Sequence, residues 1–308
     1  MGTPFAAVPT LERLLKDGHE VVAVYTQPDR PAGRGNHLTS PPVKDFAAQH
    51  ALDVLQPAKI RTEDALATFK SFGADVAVVV AYGRILPEPF LSAFPMRAIN
   101  VHFSLLPKYR GAAPVNWAIV NGETTTGVTT MQMDVGLDTG NILLQLERPI
   151  GSEETAVELM ARLSIDGAEL LSETLFRYHE IVPQPQCDGD ASFAPILRKE
   201  DGLMNWELGS RQIANRVRGF QPFPGVFTFY RGARLMIRKA MPVGDGHHSK
   251  SPGEIIGAKV DELTIACGGG TILRIEELQL EGKRSMTVRD FINGIKPVSG
   301  ERFESNAR

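Results

Sequence analysis

The chain has 308 residues, 43% of them hydrophobic and 22% charged, with a formal net charge of −3. Those proportions exclude a disordered or fibrous protein, and the length exceeds the usual single domain of about 100–200 residues, so two domains are expected. The longest apolar run, Val76–Tyr82, falls far short of the ~20 residues that span a bilayer.

Helical periodicity over Val8–Lys16 stops at Asp17-Gly18-His19 and leads into a strand at Val21–Tyr25. The chain opens oddly, because Met1-Gly2-Thr3-Pro4 already has the look of the turn that follows a first strand, and that opening strand is missing. A loop rich in Pro, Gly and Arg runs from Gln27 to Pro42. Helices are expected at Val43–His50 and Thr62–Phe72, with strands at Val54-Leu55, Asp75–Ala81 and Ala98–Phe103. Strands alternating with helices, one of them apolar at every position, predict a doubly wound, mostly parallel α/β sheet covered on both faces, a Rossmann-like domain. A strand pair at Gly127–Gln132 and Ile142–Leu146 would edge that sheet, and a long helix, Ala156–Tyr178, would close it.

The stretch from Pro183 to Gly202 lacks periodicity and is rich in Pro, Asp and Gly, as a linker is. Beyond it, a short helix at Ser210–Gly219 precedes alternating segments at Val226–Tyr230, Leu235–Ala240, Leu263–Ala266 and Ile272–Leu280, the pattern of a small OB-like β barrel. The expected organisation is therefore a doubly wound domain over 1–182, a linker over 183–204 and a barrel domain over 205–308. Residues 1–204 hold 17 Lys and Arg against 25 Asp and Glu, whereas 205–308 hold 16 against 11. A basic surplus on a small domain is either a solvated face or the footprint of a polyanion.

The stretch that carries chemistry begins at Asn100-Val101-His102. Two residues apart on a strand, amide and imidazole share one face. Ser104-Leu105-Leu106-Pro107 and Tyr109-Arg110-Gly111 follow at once, so the pair would stand at the carboxyl end of a strand, where ligands bind in open α/β sheets. An isolated Asn-x-His can equally satisfy backbone groups at a strand end. Later, Asp134-Val135-Gly136-Leu137-Asp138-Thr139-Gly140 places two carboxylates on a glycine-punctuated loop, and spacing alone leaves either as the functional one. An amide donor, an imidazole and a carboxylate can run acyl transfer without a metal or a covalent intermediate. No GxSxG nucleophile elbow accompanies them. Cys187 and Cys267 stand far apart with no ligand spacing, which argues against a zinc site or a disulfide framework.

These motifs resemble the folate-dependent formyltransferases. The resemblance rests on Asn100–Pro107 with Tyr109-Arg110-Gly111 and on Leu137-Asp138-Thr139-Gly140. Gln27–Gly35, Val80–Gly83, Met131–Gly136 and Phe220–Gly225 extend it over nearly the whole chain, toward the members that act on initiator tRNA. It implies an Asn100, His102 and Asp138 catalytic set and a folate-contacting turn at Ser104, Leu105, Leu106 and Pro107. It implies 10-formyltetrahydrofolate as donor and the free α-amine of initiator methionyl-tRNA as acceptor, with no metal. The Gln27–Pro42 loop, with Arg30 and Arg34, would enter the acceptor end of the tRNA. Arg216, Arg218, Arg234, Arg238 and Lys239 on the basic barrel are further phosphate candidates. A monomer acting in the cytoplasm is expected, and Met1–Phe5 carries no basic leader segment.

Three other readings compete. A dinucleotide-dependent dehydrogenase lacks support, since no GxGxxG follows a strand. Hydrolysis of the formyl donor, or transfer to a sugar amine, would use the same folate site, and only the Arg34 loop argues against a small acceptor. A pure RNA-binding module would have no reason to assemble Asn100, His102 and Asp138.

Overall fold

The computed structural model describes residues 1–32, 37–244 and 248–306. In chain order its elements begin with α1 (Val8–Lys16), β1 (Val24–Tyr25), β2 (Arg30–Ala32), β3 (His37–Thr39), α2 (Pro42–Gln49) and β4 (Val54–Leu55). Next come α3 (Glu63–Ser71), β5 (Ala77–Val79), α4 (Glu88–Leu91), β6 (Ala98–His102), β7 (Arg110–Gly111), α5 (Pro114–Val120), β8 (Thr125–Gln132) and β9 (Ile142–Pro149). The remainder is α6 (Ala156–Phe176), β10 (Phe193–Ala194), α7 (Ser210–Gly219), β11 (Val226–Tyr230), β12 (Ala233–Pro242), β13 (Ile255–Lys259), β14 (Glu262–Ala266), β15 (Ile272–Leu280), β16 (Met286–Thr287) and α8 (Val288–Ile295).

The chain divides into two compact units that each draw on separate segments: 1–114, 125–149 and 159–194 form the first, and 115–124, 150–158 and 195–308 the second. In the first, β5, β6, β8 and β9 make a four-stranded sheet in that order, parallel between β5 and β6 and antiparallel thereafter. A second parallel pair, β1 with β4, stands apart from it. The architecture is mixed α/β, and the strand pair foreseen at one edge is β8 with β9. Tyr25, Phe69, Val79, Tyr82, Phe90 and Ala98 are among the buried residues of this core, where large apolar side chains supply most of the folding drive.

Local chemistry sets the helix limits. Pro9 sits in the first turn of α1, where a missing N–H costs nothing, and Gly18 at φ 82° follows its end. The Thr62 hydroxyl accepts from the Ala65 N–H at 3.2 Å and starts α3.

The expectation of a missing opening strand meets a definite geometry. The Met1 amine donates to the Val78 carbonyl at 2.7 Å, Gly2 N–H donates to Tyr25 O at 2.9 Å, and Gly2 pairs in parallel with Val80. Met1 and Gly2 thus bond to both β1 and the β5 segment. Behind them is a cavity of about 670 Å³ whose walls include Leu11, Leu14, Val22, Phe72, Val76 and Leu175. β1 and β5 are shorter than the apolar runs that contain them, and Val21–Ala23 and Val76 line this space.

In the second unit, β11, β12, β15, β14 and β13 hydrogen-bond in that order, with β16 on β15, as a six-stranded antiparallel sheet. Register shifts between Ile237 and Ala240 bend β12. Alternation buries Val226, Thr228 and Tyr230 of β11 and Leu235 and Ile237 of β12 on one face. Trp206, Phe220, Phe291 and Phe303 fill the same core.

Candidate active site

β6 is buried at all five positions and pairs with β5 on one side and β8 on the other. Asn100 lies opposite Met131, and His102 lies opposite Thr129. Their i, i+2 spacing puts both side chains on one face of the sheet. Asn100 is 8% exposed and His102 5%. Among the described residues no hydrogen bond engages the Asn100 amide, so its N–H groups are free for a ligand. His102 Nε2 lies 2.9 Å from the Tyr109 carbonyl. A carbonyl only accepts, so that nitrogen carries a proton, and the acid–base capacity of the ring rests on Nδ1.

Nδ1 faces Asp138 Oδ2 at 3.7 Å. That separation is too long for a hydrogen bond, and it leaves the carboxylate beside the ring nitrogen that the Tyr109 carbonyl does not engage. Asp138 has φ 53°, the left-handed region that Asp tolerates better than most residues. Its Oδ2 accepts the Gly111 N–H at 2.8 Å. Asp134, by contrast, is spent on its own loop: its Oδ1 accepts from Gly136 N–H at 3.0 Å and from the Thr139 hydroxyl at 2.7 Å. Gly140 is required there, because a Cβ would come within 1.7 Å of the Gln132 carbonyl oxygen.

The Ser104–Pro107 turn is tied down by groups that the sequence did not single out. Ser104 Oγ donates to the Lys108 carbonyl at 2.6 Å. The buried Thr129 hydroxyl donates to Ser104 O at 2.7 Å and accepts the Leu106 N–H at 3.1 Å. Gln145 Nε2 donates to Leu106 O at 2.9 Å and to Thr129 Oγ1 at 3.0 Å. The Leu106–Pro107 peptide is cis. Leu105 packs over Gly127, where any Cβ would meet its side chain at 2.6 Å.

Residues 184–194, expected as part of a linker, are bound to this same site. Gln184 bridges Ile142, and β10 pairs with β7 through Phe193–Arg110 and Ala194–Gly111. Ser192 accepts the Tyr109 N–H at 2.9 Å through its hydroxyl. Nothing in the residue pattern there is periodic, which is why sequence reading passes over it.

Arg30 stands on β2, exposed, with Nη2 donating to Gln27 Oε1 at 3.3 Å. Gln27 is itself buried and donates to the Tyr82 carbonyl at 3.0 Å. Arg34 lies outside the described residues. The five basic candidates of the second unit all have internal partners. Arg216 donates to Asp201 O at 2.6 Å, and Arg218 to the carbonyls of Gly151 and Glu154 at 3.0 Å. Burial holds both guanidinium groups below their ordinary pKa. Arg234 lies 3.9 Å over the Phe227 ring, Arg238 donates to Gln279, and Lys239 pairs with Glu276 at 3.1 Å. Among the described residues, no group of three or more His, Cys, Asp or Glu could hold a metal ion. No helix there is long and apolar enough to cross a membrane.

Two family profiles match the chain: formyl transferase over residues 1–175, and the formyl transferase C-terminal domain over 196–296. The methionyl-tRNA formyltransferase of Geobacter metallireducens is 47% identical over 305 residues, covering 98% of this chain and 97% of the relative. That of Ruminiclostridium cellulolyticum is 46% identical over 306 residues and 98% of each chain. Among solved structures, an N-formyltransferase from Helicobacter canadensis in complex with folinic acid and dTDP-3-aminofucose aligns with a TM-score of 0.65 at 20% identity, over 89% of this chain and 96% of that one. HypX from Aquifex aeolicus aligns at 0.57 and 16% identity, over 82% of this chain and 46% of that one. At such identities the structures speak for the fold alone. With both domain profiles matched and near-full-length relatives close to half identical, this chain belongs to the formyl transferase family.

Proposed function

We propose that the protein transfers the formyl group of 10-formyltetrahydrofolate to the free α-amino group of methionyl-initiator tRNA, giving the N-formylmethionyl-tRNA that starts translation. The observation that carries the reading is the set on one sheet face: an unengaged Asn100 amide, a His102 ring with only Nδ1 available, and Asp138 Oδ2 3.7 Å from it. The relatives' shared name supports the acceptor.

In this reading the folate lies against the Ser104–Pro107 turn with its formyl carbon near Asn100 and His102. The amine attacks that carbon, and a C–N bond forms as the bond from the carbon to the folate nitrogen breaks. The formyl oxygen gains charge and is met by the Asn100 Nδ2–H and the His102 ring, in the manner of an oxyanion hole. Asp138 holds the ring in place and takes part in removing the amine's surplus proton, which ends on the folate nitrogen.

The catalytic domain is assigned to 1–182, the linker to 183–204 and a tRNA-binding domain, an OB-like barrel, to 205–308. Arg30 and Arg34 contact the tRNA from the 27–42 loop, as suits guanidinium groups against phosphate or guanine edges. The enzyme acts as a monomer in the cytoplasm. The test offers the purified protein 10-formyltetrahydrofolate with methionyl-initiator tRNA, with a nucleotide-linked amino sugar, or with buffer alone. Formylated tRNA is expected. Formyl transfer to the sugar alone, or release of formate alone, overturns the reading, and an Arg34→Ala variant with undiminished preference for initiator tRNA overturns the loop assignment.

A further inference from the structure

Gln186 stands in the aperiodic stretch after α6, and its side-chain amide makes three contacts with the site. Nε2 donates to the Asp138 carbonyl at 2.9 Å and to the Gly140 carbonyl at 2.7 Å, while Oε1 accepts from Arg110 Nε at 3.0 Å. Two carbonyls on one side and a guanidinium N–H on the other admit a single orientation of that amide. Arg110 is 4% exposed, and its Nη1 donates to Asp188 Oδ1 at 2.9 Å. The neighbour of Arg110 in β7 is Gly111, whose N–H holds the Asp138 carboxylate. One strand thus grips Asp138 twice, by its own backbone at the carboxylate and through Gln186 at the backbone.

We propose that Gln186 is a positioning residue for formyl transfer: oriented by Arg110, it fixes the 138–140 turn so that the Asp138 carboxylate faces His102 Nδ1. The inference rests on the reading of Asp138 as catalytic. Physically, the turn needs such a clamp. Asp138 is held at positive φ, and its backbone carbonyl and that of Gly140 converge on one point. Convergent carbonyls repel unless a donor pair lies between them, and the two N–H groups of one primary amide supply it. A carboxylate at position 186 would keep the Arg110 contact but present oxygen to both carbonyls. Methionine would keep the length and lose every polar contact.

The test is a double-mutant cycle on the full chain, read as steady-state formylation of methionyl-tRNA. Gln186→Met and Gln186→Glu should each lower kcat by about 10–100-fold, the scale of a small misplacement of a reacting group, and change the KM for 10-formyltetrahydrofolate by less than about threefold. In an Asp138→Asn background, Gln186→Met should cost less than about twofold more, because its effect runs only through Asp138. A full additive loss in that background overturns the proposal, as does Gln186→Met at wild-type kcat. A Gln186→Met protein without a cooperative melt overturns it too, since the residue would then hold the fold and not the turn. Asp138→Asn at wild-type kcat overturns the catalytic reading of Asp138 together with the clamp. Gln186→Met at wild-type kcat beside a crippled Asp138→Asn overturns the clamp alone.

Discussion

Thr129→Val is the sharpest probe of how the proposed folate turn is held. The hydroxyl is fully buried and serves Ser104 O at 2.7 Å, the Leu106 N–H at 3.1 Å and Gln145 Nε2 at 3.0 Å. Valine has nearly the same shape, so packing changes little. The substitution takes the donor from one buried carbonyl and the acceptor from one buried N–H. At about 1–3 kcal/mol for each unsatisfied group, the loss should be about 2–6 kcal/mol. For a domain of this size, at about 2–4 °C per kcal/mol, that is a fall in Tm of about 4–24 °C. Because the freed groups belong to Ser104 and Leu106, the KM for 10-formyltetrahydrofolate should rise by about tenfold, the scale of a loosened binding geometry. Thr129→Ser, which keeps the hydroxyl, should retain the wild-type KM. Urea unfolding and steady-state kinetics read both effects. A valine variant within ~1 kcal/mol of wild type, with unchanged KM, would refute the argument that this hydroxyl anchors the turn.

Other consequences are equally direct. Gly111→Ala would set a Cβ 2.6 Å from the Ala194 carbonyl oxygen at φ 125°. It should cost about 2–4 kcal/mol in a denaturant melt and lower formylation with it, since the N–H that holds Asp138 must move. Burial pushes the Cys267 thiol up to about 12, whereas Cys187 is exposed. An aromatic disulfide reagent at pH 8 should therefore titrate one thiol quickly in the native protein and two in denaturant.

Much of the frame was legible in the sequence because periodic burial writes itself into the residues. The helices at Val8–Lys16 and Ser210–Gly219 and the strand at Ile272–Leu280 fall where their patterns place them. Val21–Tyr25 reads as a full strand, yet only Val24 and Tyr25 find partners, because pairing depends on a neighbour that a sequence window does not contain. Asn100 and His102 could be placed on one face from their i, i+2 spacing. Asp134 and Asp138 could not be told apart that way, since the difference lies in which hydrogen bonds each makes across the loop. Thr129, Gln145 and Gln186 were invisible for a related reason: single polar residues act on distant backbone groups and leave no period. The basic surplus after residue 204 is a true compositional signal, but Arg216 and Arg218 turn out to serve the fold through internal carbonyls.

The central claim is that an unengaged amide on β6 stabilises the oxygen of a formyl group passing to methionyl-tRNA. Asn100→Ala tests it most directly, because removing that side chain breaks no hydrogen bond among the described residues. Single-turnover formylation of methionyl-initiator tRNA should slow by about 10²–10³-fold, the usual loss for one such donor, with the melting curve unchanged. A rate within a factor of about three of wild type would contradict the account, because a donor of this kind is worth far more than that.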